Sequence, residues 1–134
     1  MIISTRDKLI EYISHSCSGR VHDYKLLKIS LNAETDWFLT KEILVDSGYT
    51  GFDKDYKTNT ISIPYKKTKN KPSLSDEEKE HNRAIAKKRI FVENSISGLK
   101  RYRILSNKLR MHLIDLYDEV LGVCAGLWNF NLYN

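Results

Sequence analysis

Two carboxylates stand where acid chemistry could be done. Asp46 closes the run Glu42-Ile43-Leu44-Val45-Asp46, and Glu93 lies in a long polar stretch four residues after Arg89 and seven before Lys100. In α/β sheets, ligands collect just beyond the carboxyl ends of strands, so an acidic residue at such an end is well placed. Carboxylates on rigid elements are what in-line cleavage of a phosphodiester requires, because they hold divalent cations about 4 Å apart beside the attacking and leaving oxygens. Magnesium takes a few carboxylates plus water and substrate oxygens. Taken singly, the aspartate reads equally as a turn or cap residue and the glutamate as half of an ion pair. Position alone leaves both nearer those roles than catalysis.

The elements that must position them are legible as patterns. Apolar Ile43-Leu44-Val45 predicts a strand buried on both faces, followed by the turn Ser47-Gly48-Tyr49-Thr50-Gly51. Ser75 and Glu78 form a capping box, and Asp76, Glu77 and Glu78 fill a first helical turn. The helix predicted from there runs to about Leu105, with Ile85, Val92, Ile96 and Leu99 as its apolar stripe. Asn82, Arg89, Glu93 and Lys100 fall in a narrow arc beside that stripe. Upstream, Met1 to Thr5 and Leu9 to Ser16 read as a hairpin joined by Arg6-Asp7-Lys8, and Ser18-Gly19-Arg20 as a turn. Asp23 can cap a short helix carrying Tyr24, Leu26 and Leu27, and Ile61-Ser62-Ile63-Pro64 reads as a strand near an edge. Lys108 to Asn131 has the best helical period, with Leu109, Leu113, Leu116, Val120, Cys124 and Leu127 facing one way. For Trp37, Trp128 and Phe130, core or interface packing is the default over base stacking.

Charge narrows the partner. The 134 residues carry 22 Lys plus Arg against 17 Asp plus Glu, a net +5. From Lys66 to Arg110 there are fourteen basic and five acidic residues, so that segment is +9 and the remainder −4. The linker lysines of residues 66–73 alone would be an ordinary solvated run, but with Arg83, Lys87, Lys88, Arg89, Lys100, Arg101 and Arg103 on the following helix a polyphosphate partner fits better. No apolar run approaches the roughly 20 residues of a membrane span, and the first residues have no signal-peptide pattern. Cys17 and Cys124 belong to no ligand cluster, which argues against a zinc finger and for a reduced chain.

Three ordered stretches carry a family resemblance: Gly19-Arg20-Val21-His22-Asp23-Tyr24-Lys25, then Ile43 to Gly51, then Asn82-Arg83 through Arg89-Ile90-Phe91-Val92-Glu93-Asn94-Ser95-Ile96 to Leu99-Lys100. In these the chain resembles the DDE transposases of bacterial insertion sequences over most of its length. The resemblance implies an α/β, RNase H-like mixed sheet flanked by helices, and Mg²⁺- or Mn²⁺-dependent cutting and joining of DNA at transposon ends by three acidic residues. It makes Asp46 the second of these and Glu93 the third, both metal ligands. It also puts Arg89 and Lys100 near the metal site against DNA phosphates, leaves Asn82 and Arg83 a DNA-contact or structural role, and sets His22 and Asp23 at a helix start as scaffold; Arg101, in the same basic segment, is a further candidate DNA contact.

The departure from the pattern is also informative. The family's first catalytic aspartate lies on a first strand upstream of the hairpin, whereas this chain starts at or within the hairpin; Asp7, in the turn, is a poor substitute. The expectation is a partial catalytic domain over residues 1–134, truncated at its first strand. Residues 66–73 form a basic linker within an insertion between the last strand and the Glu93 helix. Such a chain should bind metal weakly and cleave poorly alone. Its partners would be transposon-end and target DNA, with an upstream transposase fragment or a second copy as a further partner, and its location the cytoplasm, associated with the nucleoid. Three alternatives stay open: a non-catalytic basic DNA-binding remnant, the downstream half of a frameshifted two-frame transposase, and a small interaction domain, against which the +9 segment argues.

Overall fold

In the computed structural model residues 1–17, 21–106 and 114–134 are described. The turn predicted at Ser18-Gly19-Arg20 and the start of the last helix, with Lys108, Leu109 and Leu113, lie outside them. Among the described residues the chain is α/β, with two two-stranded sheets and five α-helices. They group into two compact units, Met1–Ser18 with Ile90–Asn134, and Gly19–Arg89. No helix among them is long and apolar enough to cross a membrane.

The first unit begins with the predicted hairpin. β1 (Ile2–Ser4) pairs antiparallel with β2 (Ile10–Ile13), Ile2 opposite Ile13, and the register shifts between Ile3 and Ser4. Thr5 N–H donates to Leu9 O and Lys8 N–H to Thr5 O, closing a turn in which Lys8 takes the left-handed φ of 69°. That is the geometry of a three-residue hairpin loop, in which glycine usually fills the left-handed place. The Lys8 carbonyl accepts two donors, buried Ser95 Oγ at 2.8 Å and half-buried Trp128 Nε1 at 2.9 Å, which hold it there.

Two helices complete this core. The long helix α3 (Asp76–Lys100) contributes its second part, and the last helix α5 (Ile114–Leu132) packs its Cys124 and Ala125 with Ile10 and Leu99. Asn129 on α5 clamps β2 through both backbone groups of Ile10, each at 2.9 Å. Gly98 lies against the Trp128 ring: a Cβ there would be 2.1 Å from it. This contact fixes the rotation of α5 and shifts its buried face from the predicted stripe. Cys124 is buried and Val120 half-buried, but Leu116 and Leu127 are 42% and 47% exposed, as is Phe130 at 64%. Leu121, Ala125 and Trp128 turn inward instead. Trp128 therefore packs against the core, whereas Phe130 lies outside it.

α3 also ends earlier than its periodicity predicts. It stops at Lys100, and a one-turn helix α4 (Arg103–Ser106) follows after Arg101 and Tyr102.

The second unit is built around aromatic rings. α1 (Asp23–Ser30) starts at the predicted place, but His22 is its N-cap, its Nδ1 accepting from Tyr24 N–H, and Asp23 is the first helical residue. Phe38, Phe52 and Tyr56 pack with ring centroids 4.8 to 5.6 Å apart, and the Tyr56 hydroxyl donates to Leu31 O at 2.6 Å. Phe52 belongs to a one-turn helix, α2 (Phe52–Asp55), entered through Gly51 at φ 97°. Trp37, by contrast, is 46% exposed.

β3 (Glu42–Leu44) and β4 (Thr60–Ser62) pair in parallel, Ile43 beside Ile61. Ile43 and Leu44 are half-buried and Glu42 exposed, so β3 is not buried on both faces as its apolar run suggests. Pro64 falls after β4, where its missing donor breaks no ladder bond.

Candidate functional site

Asp46 stands two residues beyond β3, at the carboxyl end of the parallel pair. Val45 N–H donates to Ser62 O at 3.2 Å, carrying the pairing one residue past the strand. The chain then turns into a single 3₁₀ turn, Ser47–Tyr49, whose N-cap is Asp46. Its Oδ1 accepts from Ser47 N–H at 2.6 Å and from Arg89 Nη1 at 3.2 Å. The turn-residue role is thus real, but it occupies one oxygen of a side chain that is 53% exposed. Tyr49 lies close enough to Asp46 and Asp23 to feel both, and its phenol is pushed above its ordinary pKa by burial first and by these two carboxylates next.

The first part of α3 faces this turn with cations. Arg89 meets Asp46, and one residue earlier Lys88 Nζ reaches Glu42 Oε1 at 3.4 Å. Arg83 pairs with Glu80 one turn back at 3.3 Å and is exposed. The predicted capping box is present: Ser75 N–H donates to Glu78 Oε2 at 3.0 Å and Glu78 N–H to Ser75 Oγ at 3.2 Å. Asn82 directs its amide at Tyr65, Oδ1 accepting the backbone N–H at 2.9 Å and Nδ2 donating to the carbonyl at 3.0 Å. Sequence reasoning gave Asn82 a place on the helix arc but not this bond. An asparagine beside a strand exit is the only signal, and nothing in spacing links residues 65 and 82.

The second part of α3 belongs to the other unit. Glu93 is exposed there and engages no hydrogen bond or ion pair among the described residues. Lys100 is the last residue of the helix and Arg101 follows it, both exposed, with Arg101 N–H bonded to Gly98 O at 3.2 Å.

As metal ligands these carboxylates fit in kind. Among the described residues Asp46 Oδ2 is free of the bonds that hold Oδ1 and both Glu93 oxygens are free, so each offers the hard oxygen a cation such as Mg²⁺ takes. In number they fall short, since the described residues contain no group of three or more acidic, histidine or cysteine side chains able to hold an ion.

Comparison with known proteins adds the family. A family model described as DDE superfamily endonuclease matches residues 1–129. A protein described as a probable transposase for insertion sequence element IS702, from Microchaete diplosiphon, is 32% identical over 132 residues, 98% of this chain. The chain spans 45% of that relative's length. No solved structure matches.

Proposed function

This chain belongs to the DDE superfamily of endonucleases, and from that membership we propose that it supplies Asp46 and Glu93 as metal-binding carboxylates for cutting and joining DNA at the ends of a mobile element. The observation that carries the reading is the placement of Asp46: an exposed carboxylate at the carboxyl end of a parallel strand pair, with Arg89 of the long helix against it. Strand ends of this type are where α/β folds put their chemistry. An RNase H-like sheet, of which β1 to β4 would be parts, is the framework this reading implies.

A divalent cation held by these carboxylates would activate the attacking oxygen and stabilise the leaving one. The remaining roles fall to side chains. Arg89, on the helix beside Asp46, neutralises a scissile-strand phosphate. Lys100, the last residue of α3, and Arg101 just after it take phosphates further along, as does Arg83. Asn82 serves through its hold on Tyr65, and His22 and Asp23 as the start of α1.

Among the described residues neither carboxylate belongs to a group of three or more possible ligands, so these two alone are expected to bind Mg²⁺ or Mn²⁺ weakly and to cleave poorly. A further carboxylate could be supplied by another transposase segment or by a second copy of the chain, assembled on DNA in the nucleoid. A nuclease assay on transposon-end DNA with Mg²⁺ or Mn²⁺ tests this. Robust cleavage by the chain alone, abolished by Asp46→Ala or Glu93→Ala, would overturn the two-carboxylate account while keeping the metal chemistry.

One observation favours a second reading. Arg89 already neutralises Asp46, as in a structural ion pair, which suits a DNA-binding remnant that no longer needs metal. Both readings give salt-dependent DNA binding. They separate on metal: the remnant binds DNA equally with and without Mn²⁺, and Asp46→Ala leaves its cation affinity unchanged.

A further inference from the structure

The lysine run after β4 is folded and anchored, which a solvated linker need not be. At its start, Asn82 holds both backbone groups of Tyr65, and the Tyr65 ring lies 5.1 Å from that of His81. In its middle, Thr68 and Lys71 exchange two backbone hydrogen bonds of 3.0 Å each, closing a tight turn over Lys69 and Asn70, and Thr68 Oγ1 takes the Lys71 N–H at 3.1 Å. At its end, Lys71 Nζ meets Glu78 Oε1 at 2.5 Å while the other Glu78 oxygen caps α3. Both ends of the segment are thus tied to the first two turns of one helix.

The charges divide unequally across this small structure. Lys71 is spent on the anchor. Lys66, Lys67 and Lys69 are exposed and have no ion-pair partner among the described residues. Three like charges within four residues repel one another, and fixing the backbone that carries them adds an entropic cost. A polyanion offsets both, and binds more tightly when the cations are already held in place.

We propose that Tyr65–Pro72 is a preformed arm that grips the phosphate backbone of duplex DNA through Lys66, Lys67 and Lys69, with Asn82 as the positioning residue that holds it. This rests on the reading of the chain as a DNA-acting protein. Lysine is a point charge without the planar fork that reads a base edge, so the arm adds affinity without sequence preference.

The test is fluorescence anisotropy of a labelled 25-base-pair duplex against the full chain over a series of salt concentrations. Three proteins are compared: unaltered, Lys66→Gln/Lys67→Gln/Lys69→Gln, and Asn82→Ala. Each phosphate contact contributes about 0.9 to the slope of log affinity against log salt. The triple variant should therefore lose roughly 2 to 3 from that slope and bind at least tenfold more weakly at low salt. Asn82→Ala removes no charge, so it should bind several-fold more weakly with the slope nearly unchanged. A triple variant with the slope and affinity of the unaltered chain overturns the arm while leaving DNA binding standing. An unaltered chain that does not bind DNA overturns both. Asn82→Ala with full affinity overturns the positioning role, and if that variant fails to fold, the lysine variant, altered only at exposed side chains, still decides.

Discussion

Arg89 Nη1 sits 3.2 Å from Asp46 Oδ1, joining the long helix to the turn that follows the parallel strand pair. The guanidinium is 27% exposed and the carboxylate 53%, so water screens the pair and its contribution to stability is at most about 1 kcal/mol. It also sets a cation beside the carboxylate proposed to take a divalent metal.

Arg89→Gln is therefore expected to change two binding properties in opposite directions. Removing the competing charge should raise the affinity of the chain for Mn²⁺ about threefold by the repulsion it relieves. It should also lower DNA affinity and reduce the salt slope by about 1. Urea unfolding should shift by no more than about 1 kcal/mol. A variant with weaker Mn²⁺ binding would show that Arg89 does not oppose the metal at Asp46.

Among the described glycines Gly98 has the least room for a side chain. An added methyl would lie 2.1 to 2.5 Å from three atoms of the Trp128 ring, whose N–H is fixed on the Lys8 carbonyl. Alanine is the better helix former by about 1 kcal/mol, but overpacking of this severity costs up to about 3. Gly98→Ala should lower unfolding stability by roughly 2 kcal/mol, read by urea titration. A neutral or stabilising result would mean that the indole can move off α3.

Asp118 ties α5 to the end of the hairpin. Its carboxylate accepts the Ser16 N–H at 2.9 and 3.1 Å and contacts His15 Nδ1 at 3.1 Å. These bonds, Ser16's first, hold its pKa below the usual carboxylate value. Because the folded pKa is depressed, the stabilisation is complete above the unfolded value of about 3.9 and is lost as pH falls through the folded one. Asp118→Asn should be about 1 kcal/mol less stable at pH 7. That gap should close as pH falls below 4, and a gap of constant size down to pH 2 would contradict the assignment.

Lys8 holds a left-handed backbone at φ 69° without being glycine. Such a residue costs on the order of 1 kcal/mol. Lys8→Gly should raise stability by about 0.5 kcal/mol after the added freedom of the unfolded chain is counted. Since the Lys8 carbonyl, not its side chain, accepts Ser95 and Trp128, the core bonds should survive. Destabilisation would point to a role for the Lys8 side chain.

Local rules located the pieces well where the cause was local. The hairpin, the capping box of Ser75 and Glu78 and the start of α1 all follow from neighbouring residues, and all are present. The rotation of α5 was not legible, because it depends on Trp128 meeting Gly98 thirty residues away, which periodicity cannot see. The end of α3 at Lys100 was missed for a similar reason: the apolar pattern continues, but the chain bends at Arg101 and Tyr102. α2 is too short to show a period at all. At the candidate site, the strand end located Asp46 and the helical arc brought Arg89 forward, while the Asn82 hold on Tyr65 is a tertiary bond with no sequence signature.

The central claim is that Asp46 and Glu93 are metal ligands, and Mn²⁺ titration followed by electron paramagnetic resonance tests it without depending on turnover. The chain should bind Mn²⁺ weakly, with Asp46→Asn and Glu93→Gln each lowering affinity at least threefold and Asp118→Asn, measured at pH 7, leaving it unchanged. Equal Mn²⁺ affinity in the unaltered chain and in the Asp46→Asn/Glu93→Gln double variant would contradict it.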